Sequence, residues 1–140
     1  MYIDKELLVS DAQSLAGIAS TSELSTYSIN LGTTRDFAKG MPIYAVIVCD
    51  IALTTATHVQ FQVVTSTAVG GTTGEAVLAD TGNVLAAQLV IGGTPIVIPV
   101  PPLRTGVTQQ YLMIKYTTVG TPGAGSFTAF FGSAPQTNFG

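Results

Sequence analysis

The stretch MPIYAVIVCDI, residues 41–51, decides the fold because it is almost uninterrupted in apolar residues and ends near Cys49 and Asp50. In a parallel α/β sheet, such a strand often carries a catalytic group at its carboxyl end. In an all-β protein it is simply a strand that is buried on both faces. A parallel neighbour needs a crossover of about a dozen residues or more, usually a helix. The connections after residue 51 are short and rich in Gly and Thr, so we predict an antiparallel sandwich strand. Its alternate side chains point to opposite faces, with Ile43, Ala45, Ile47, Cys49 and Ile51 on one and Tyr44, Val46 and Val48 on the other.

The last hundred residues alternate short β-rich runs with turns rich in Gly, Pro and Thr, at the spacing of an all-β sandwich. Two runs have a strict period of two, which is typical of an antiparallel sheet with one buried face. In the first, Val59, Phe61 and Val63 oppose His58, Gln60 and Gln62; in the second, Leu112, Ile114 and Tyr116 oppose Met113, Lys115 and Thr117. The predicted strands are Thr26–Leu31, Ile43–Ile51, His58–Ser66, Glu75–Asp80, Ala87–Ile91, Ile96–Val100, Gln110–Val119 and Ser126–Phe131.

The two ends of the chain differ from the middle. Residues 1–25 have mixed charge and carry Leu7, Leu8 and Leu15. A short helix is one interpretation, but we favour an N-terminal arm or first strand with a turn near Ser10 and Asp11. Residues 132–140 are predicted to be a loose or docked tail. The length of 140 residues predicts a single domain over 1–140.

Charge is scarce: the sequence has five Lys and Arg and eight Asp and Glu, which is 9% of its residues. A free monomer usually carries more charge, because charge keeps neighbouring molecules apart. We therefore expect part of the surface to be covered by other protein. The net charge of −3 and the absence of a basic cluster argue against nucleic-acid binding. No apolar run is long enough to span a membrane, and the first residues do not have the pattern of a signal peptide.

No residue pattern points to catalysis. His58 is the only histidine, and we expect a surface or interface role for it because it lies on the polar face of its strand. Cys49 is expected to be a buried, inert thiol. Glu75 and Asp80 are spaced so that they fall on opposite faces of a straight strand. One His, one Cys and no acidic pair at ligand spacing do not make a metal site. We predict no enzyme activity and no cofactor.

Two surfaces are expected to need a partner. The Tyr44, Val46 and Val48 face is apolar and lies opposite the predicted core. Phe130 and Phe131 are adjacent and point to opposite faces, so we expect one of them to be exposed or in an interface. These five residues are our predicted subunit interface.

Several stretches of this chain resemble one known family. They are MYIDKELLVSDAQ, then STYSINLGTTRDFAKGMPIYAVIV, then VLADTG, IVIPVPP and QQYLMIKYTTVG, in this order over most of the chain. The family is that of the capsid cement, or head decoration, proteins of short-tailed bacteriophages, typified by a Bordetella phage protein. The resemblance implies a jelly-roll β-sandwich of two antiparallel sheets and a non-enzymatic role as a structural virion protein. Such a protein binds the outside of an icosahedral head and bridges neighbouring major capsid subunits.

The expected partners are therefore the phage major capsid protein and further copies of this chain, as a dimer or trimer. We expect synthesis in the host cytoplasm and a place on the outer surface of the virion capsid. Two segments are predicted to dock onto the capsid, because both are mixed in charge. Their residues are Met1, Tyr2, Ile3, Asp4, Lys5, Glu6, Leu7 and Leu8 in the first, and Arg35, Asp36 and Lys39 in the second. The alternative is a carbohydrate- or receptor-binding β-sandwich module displayed on the virion.

Overall fold

The computed structural model of the protein describes residues 5–18, 22–31, 42–70, 73–101 and 110–133. These residues form an all-β structure of nine strands and two single turns of 3-10 helix, which confirms the predicted all-β class. The strands are β1 (Leu8–Ser14), β2 (Ser22–Leu24), β3 (Ile29–Asn30), β4 (Ile43–Thr54), β5 (His58–Ser66), β6 (Ala76–Leu85), β7 (Ile96–Val100), β8 (Tyr111–Val119) and β9 (Ala124–Gly132). The two 3-10 turns are Lys5–Leu7 and Ala86–Gln88.

The strands form two sheets in which every pairing is antiparallel. Sheet A has the order β1-β9-β4-β7, and sheet B has the order β2-β8-β5-β6. The short strand β3 also pairs with β8. Because β5 pairs with the whole length of β8, both β2 and β3 lie on the other edge of β8.

The core lies between the two sheets and follows the predicted alternation. Val59, Phe61 and Val63 are fully buried in it, and so are their neighbours on β8. The predicted faces of β5 and β8 are therefore confirmed. Met113 lies on the outer face of sheet B, as predicted. This part of the face is not polar, however, because Met113 is buried there and pairs with the buried Val64.

Three aromatic rings join the two sheets at the centre of the core. Between ring centroids, Phe127 of sheet A lies 5.4 Å from Phe61 and 6.1 Å from Tyr116, on which it stacks, and Phe61 and Tyr116 of sheet B are 5.7 Å apart. Two of these contacts, those of Phe61, are edge-to-face, which is a favoured geometry for aromatic pairs. The hydroxyl of Tyr116 donates to Ser10 Oγ at 2.8 Å, in a fully buried bond to β1. Burial raises the pKa of Tyr116, and the bond to Ser10 partly opposes this.

Strand β4 follows the predicted faces until residue 49. Ala45 and Ile47 belong to the core, and Cys49 packs against it while staying partly exposed. A register shift against β9 falls between Cys49 and Ile51. Ile51 was predicted to share the inward face, but the irregularity leaves it exposed instead.

The predicted strand over Ala87–Ile91 is wrong. Strand β6 instead continues past Asp80 to Leu85. Its pairing with β5 shifts register near Gly82, which has a φ of 67°, and the strand keeps its direction through this bulge. The chain then makes the 3-10 turn Ala86–Gln88. Leu89 follows, buried in the core, and its carbonyl accepts a hydrogen bond from the N–H of Leu53 at 3.2 Å. This apolar run therefore closes the core beside β4.

The N-terminal region contains a strand, which was one of the two forms that we favoured for it, and not the short helix that was the other interpretation. Strand β1 pairs with β9 and runs through Ser10 and Asp11, so the turn predicted there is wrong. The structure has a bulge instead, in which Ala12 takes a φ of 46° and its N–H donates to Thr128 Oγ1 at 3.0 Å. The strand predicted over Thr26–Leu31 is shortened to β3, because residues 25–27 make hydrogen bonds to other parts of the chain. The predicted tail lies, after Ser133, outside the described residues.

Candidate functional site

The outer face of sheet A, predicted to meet another subunit, carries an apolar row across all four strands. Leu8, Phe130, Val46 and Val97 form this row through successive cross-strand pairs. Val46 and Phe130 lie at its centre, outside the core cluster, and both are buried within the single chain. In the single chain these two side chains therefore have almost no exposed surface, and their place in a subunit interface stays a prediction.

The remaining predicted interface residues divide between the core and the surface. Phe131 is buried in the core, so the expectation that one of the adjacent residues Phe130 and Phe131 would be exposed is wrong. Tyr44 and Val48 are half-buried on the outer face. They are the part of the predicted interface that still has surface to offer.

A second apolar surface lies beside the second half of β4, beyond the residues that pair with β7, and we call it the edge patch. It consists of Ile51, Val90 and Ile91, of which Ile91 is 68% exposed and Ile51 is 52% exposed. Ile47 pairs with Ile96, and the N–H of Leu53 donates to the carbonyl of Leu89. The segment 90–95, which lies between these two contacts, therefore runs beside β4. The edge patch was not predicted, because it depends on the bulge that turns Ile51 outward.

The middle of the outer face of sheet B is a polar belt. The side-chain amides of Gln60 and Gln62 donate to Asp80 Oδ2 at 2.5 and 3.1 Å, and the N–H of Gly82 donates to Asp80 Oδ1. The bond from Gln60, followed by that from Gly82, holds the pKa of Asp80 below its usual range. Asp80 thus stabilises the bulge in β6.

The other carboxylate that the sequence singled out has a different partner. Glu75 Oε1 lies 2.6 Å from Lys115 Nζ, and both side chains are mostly buried by their surroundings. Because Glu75 and Asp80 each bind their own neighbours, the structure does not bring them together as a pair of carboxylates that act on one substrate.

His58 lies in an apolar row at the end of the polar belt. It pairs with Leu85 on one side and with Val119 on the other, and both of these side chains are exposed. Its Nδ1 lies 3.1 Å from the hydroxyl of Thr57. The prediction of a surface histidine on the polar face of β5 agrees with this partly exposed position.

An apolar cleft opens between the two sheets at one end of the sandwich. Its volume is about 220 Å³. All of its larger lining side chains are apolar: Leu7, Ile29, Leu31, Ile43, Leu112 and Phe131. Leu7 belongs to the predicted N-terminal docking segment, so that segment borders the cleft.

A groove lined by both polar and apolar residues lies on either side of Tyr27, and we call it the Tyr27 groove. One side, of about 360 Å³, is lined by Ser25, Thr26, Tyr27, Ser28, Val69, Gly70, Tyr111 and Met113. The other side, of about 390 Å³, is lined by Glu6, Leu8, Asp11, Tyr27 and Ser28. Tyr27 and Ser28 therefore form the ridge between the two sides, and Tyr27 is 56% exposed.

Most of the predicted capsid-docking residues lie outside the part of the chain that the structure describes. Met1, Tyr2, Ile3, Asp4, Arg35, Asp36 and Lys39 lie outside the described residues, as does the side chain of Lys5. Of the rest, Leu7 lines the apolar cleft, and Glu6 and Leu8 line the Tyr27 groove.

Cys49, which was expected to be a buried thiol, is instead partly exposed. Its thiol donates to the carbonyl of Ile51 at 3.2 Å. Burial, and next the neighbouring carboxylate of Asp50, raise the pKa of Cys49. A raised pKa disfavours the thiolate, which is the reactive form. In the part of the chain that the structure describes, no three His, Cys, Asp or Glu residues are grouped to hold a metal ion.

The sequence reasoning missed Tyr27, Val69 and Ile91 as surface features. Val69 and Ile91 each precede a glycine pair in the sequence. The first glycine of each pair, Gly70 or Gly92, has a positive φ, of 81° and 73° respectively. An apolar residue at the tip of a glycine turn projects away from both sheets, so this local pattern was the available signal. Tyr27 gave no comparable signal within its run of Ser and Thr.

The comparison with protein families gives a clear result. The sequence profile of the Bbp16 family matches residues 9–131 of this chain. The chain belongs to the Bbp16 family. The family takes the name of a Bordetella phage protein, which agrees with the resemblance seen in the sequence. The match begins in β1 and ends in β9, so it spans both sheets of the Bbp16-family fold.

Two further findings complete the comparison. A search of curated proteins gave no significant match. Among the described residues, no helix has the length and apolar character that crossing a membrane would require.

Proposed function

We propose that this Bbp16-family chain is a non-enzymatic cement protein that bridges neighbouring major capsid subunits on the outside of a phage head. The observation that carries the proposal is that exposed apolar side chains lie in separate places on the molecule. The edge patch borders sheet A, whereas Leu85 and Val119 lie on the outer face of sheet B. A protein that bridges two neighbours needs at least two contact surfaces, and exposed apolar patches are typical of contacts.

The proposal includes a single jelly-roll domain. Strands β2 and β3 pair with the same edge of β8 and can be counted as one interrupted strand. Eight strands then remain, with the orders 1-8-3-6 and 2-7-4-5 in the two sheets. A jelly roll has eight strands in two sheets, and this strand order supports it.

The apolar cleft is our candidate for the capsid-docking site. It is lined almost entirely by apolar side chains, and Leu7 connects it to the segment that was predicted to dock. A capsid protein that inserts an apolar side chain there would gain roughly 1.5–3 kcal/mol for each large side chain buried. Such modest contacts become effective when many copies act together.

Self-association would strengthen this binding. In a dimer or trimer, the second capsid contact becomes intramolecular once the first has formed, so its effective concentration rises. The half-buried Tyr44 and Val48 and the edge patch are the candidates for contacts between copies.

The test uses purified protein and phage heads stripped of their decoration. We expect a monodisperse oligomer that rebinds the heads and raises the temperature at which they release DNA. Ile91→Asp and Leu7→Asp should each weaken rebinding, because a charge replaces an apolar contact. Thr121→Asp is the matched control, since it adds the same charge at an exposed polar position. A stable monomer that ignores stripped heads contradicts the proposal.

A further inference from the structure

We propose that the Tyr27 groove is a binding site for a neutral saccharide. This site would be additional to the capsid contacts, and the argument for it does not use the cement role. It rests on how Tyr27 is held, on the chemistry of the two sides of the groove and on the size of the groove.

The backbone on both sides of Tyr27 is fixed to other parts of the fold. The N–H of Tyr27 donates to the carbonyl of Val9 at 2.9 Å, and the N–H of Thr26 donates to Gln13 Oε1 at 2.9 Å. The carbonyl of Tyr27 accepts a bond from Ser25 Oγ at 2.8 Å. The backbone at Tyr27 is thus held in place, and the ring that it carries is more than half exposed to solvent. A binding group that is already in position loses little conformational entropy when a ligand arrives.

Ser25, two residues before Tyr27, is bonded to sheet B. Its N–H donates to the carbonyl of Ile114 at 2.7 Å, and its Oγ accepts from the N–H of Ile114 at 3.1 Å. The segment 25–27, which carries Tyr27, is therefore bonded to β1 of sheet A and to β8 of sheet B. This arrangement makes the ridge of the groove part of the sandwich rather than a loop above it.

The two sides of the groove offer the groups that a sugar uses. One side has the hydroxyls of Thr26 and Ser28 and the ring of Tyr111, while the other has the carboxylates of Glu6 and Asp11. Sugar hydroxyls can donate to carboxylates and exchange hydrogen bonds with side-chain hydroxyls. The C–H face of a sugar ring is apolar and can pack on an aromatic ring, and tyrosine combines such a ring with a polar end.

The same chemistry disfavours other ligands. The carboxylates of Glu6 and Asp11 repel the phosphates of a nucleic acid or a nucleotide. A fully apolar ligand fits the apolar cleft better, because that cleft has little polar lining. Volumes of about 360 and 390 Å³ on the two sides lie in the range of small-molecule sites. Each side could take about one or two sugar units.

The experiment measures binding of the full chain, in its own oligomeric state, to an array of neutral glycans, with saturation-transfer NMR on any oligosaccharide that binds. We expect at least one neutral glycan to bind. Tyr27→Ala should weaken that binding about tenfold through the loss of the stacking surface, whereas Tyr27→Phe should stay within about threefold. Asp11→Asn should also weaken it, because an amide is a poorer acceptor than a carboxylate.

Val77→Ala is the matched control, because it shortens a side chain that is 50% exposed and does not line the groove. Thermal unfolding of each variant checks that it is folded. The proposal is overturned if no neutral glycan on the array binds, or if Tyr27→Ala leaves binding unchanged. It is also overturned if Tyr27→Ala abolishes attachment to stripped heads while no glycan binds, since the groove would then serve the capsid protein. Glycan binding by a chain that ignores stripped heads would contradict the cement role alone.

Discussion

At the scale of single residues, the buried hydroxyl of Tyr116 makes the most consequential polar contact. It donates to Ser10 Oγ, which in turn donates to Gln13 Oε1, so a short chain of hydrogen bonds joins the core to β1. The two ends of the Tyr116–Ser10 bond are not equivalent. Removing Ser10 leaves a buried donor without an acceptor, whereas removing the hydroxyl of Tyr116 leaves Ser10 with its bond to Gln13.

We therefore expect Ser10→Ala to lower the free energy of unfolding more than Tyr116→Phe does. The costs should be about 2 kcal/mol and about 1 kcal/mol, because an unsatisfied buried group costs more than a lost bond. Urea unfolding of the two variants and of the double variant measures both values and the coupling between them. Equal costs, or the reverse order, would contradict this account.

Asp80 predicts a dependence of stability on pH. Its pKa in the folded protein lies below the usual value of 3.8, chiefly through the bond from Gln60. A carboxyl group whose pKa is lower in the folded state stabilises the fold above its unfolded pKa, and this contribution is lost as the pH falls through the folded pKa. We expect the wild type to exceed Asp80→Asn in stability at pH 7 and the difference to narrow below about pH 4. A difference that is the same at pH 7 and pH 3, measured by urea unfolding, would exclude this role.

At the scale of elements, turns with glycine fix where strands end. Gly120, between β8 and β9, has a φ of 87°, and a Cβ there would lie 3.3 Å from the Cα of Ala56. Gly70, between β5 and β6, has a similar φ of 81° but open space around it. The two positions therefore separate the cost of the backbone conformation from the cost of crowding.

We expect Gly70→Ala to lower the free energy of unfolding by about 1 kcal/mol, since an L residue is strained at positive φ. Gly120→Ala should cost about 1 kcal/mol more, because the neighbouring backbone must also move. Thermal or urea unfolding gives both numbers. If the two variants are equally stable, crowding at Ala56 does not matter.

The elements also show which parts of the fold the sequence determines locally. β5 and β8 were predictable because the inward face of each is buried and the outward face is more exposed over most of the strand, with Val64 and Met113 as the buried exceptions. The bulge after Cys49 and the continuation of β6 past Gly82 were not predictable, because they depend on the register of a neighbouring strand. Leu89 shows the same limit, since its apolar run fills the core without forming a strand.

At the scale of the whole molecule, the outer face of sheet A corrects the expectation that neighbours must complete the fold. Val46 and Phe130 are buried by the chain itself, a property that no local pattern reveals. The exposed apolar and aromatic surface is instead provided by side chains such as Ile91 and Tyr27, whose exposure depends on the paths of the turns. The family and the all-β class could thus be predicted from sequence, whereas these exposed surfaces could not.

The aromatic cluster tests how much of the stability depends on contact between the sheets. Phe127→Ala should cost about 3–5 kcal/mol, which is a large part of the 5–15 kcal/mol typical of a domain. Phe127→Leu is the matched control and should cost less than half as much, because most of the volume is kept. Differential scanning calorimetry measures both. A small effect of Phe127→Ala would mean that the sheets hold together without their central rings.

The irregular path of β6 has a consequence for how copies of this chain can associate. This strand lies at the edge of sheet B, where an uninterrupted backbone would invite the strand of a neighbour to add to it. The bulge that Asp80 and Gly82 maintain breaks the regular spacing of donors and acceptors along that margin. At this margin a second copy can add through side chains more readily than through its backbone, which disfavours open-ended growth into fibrils.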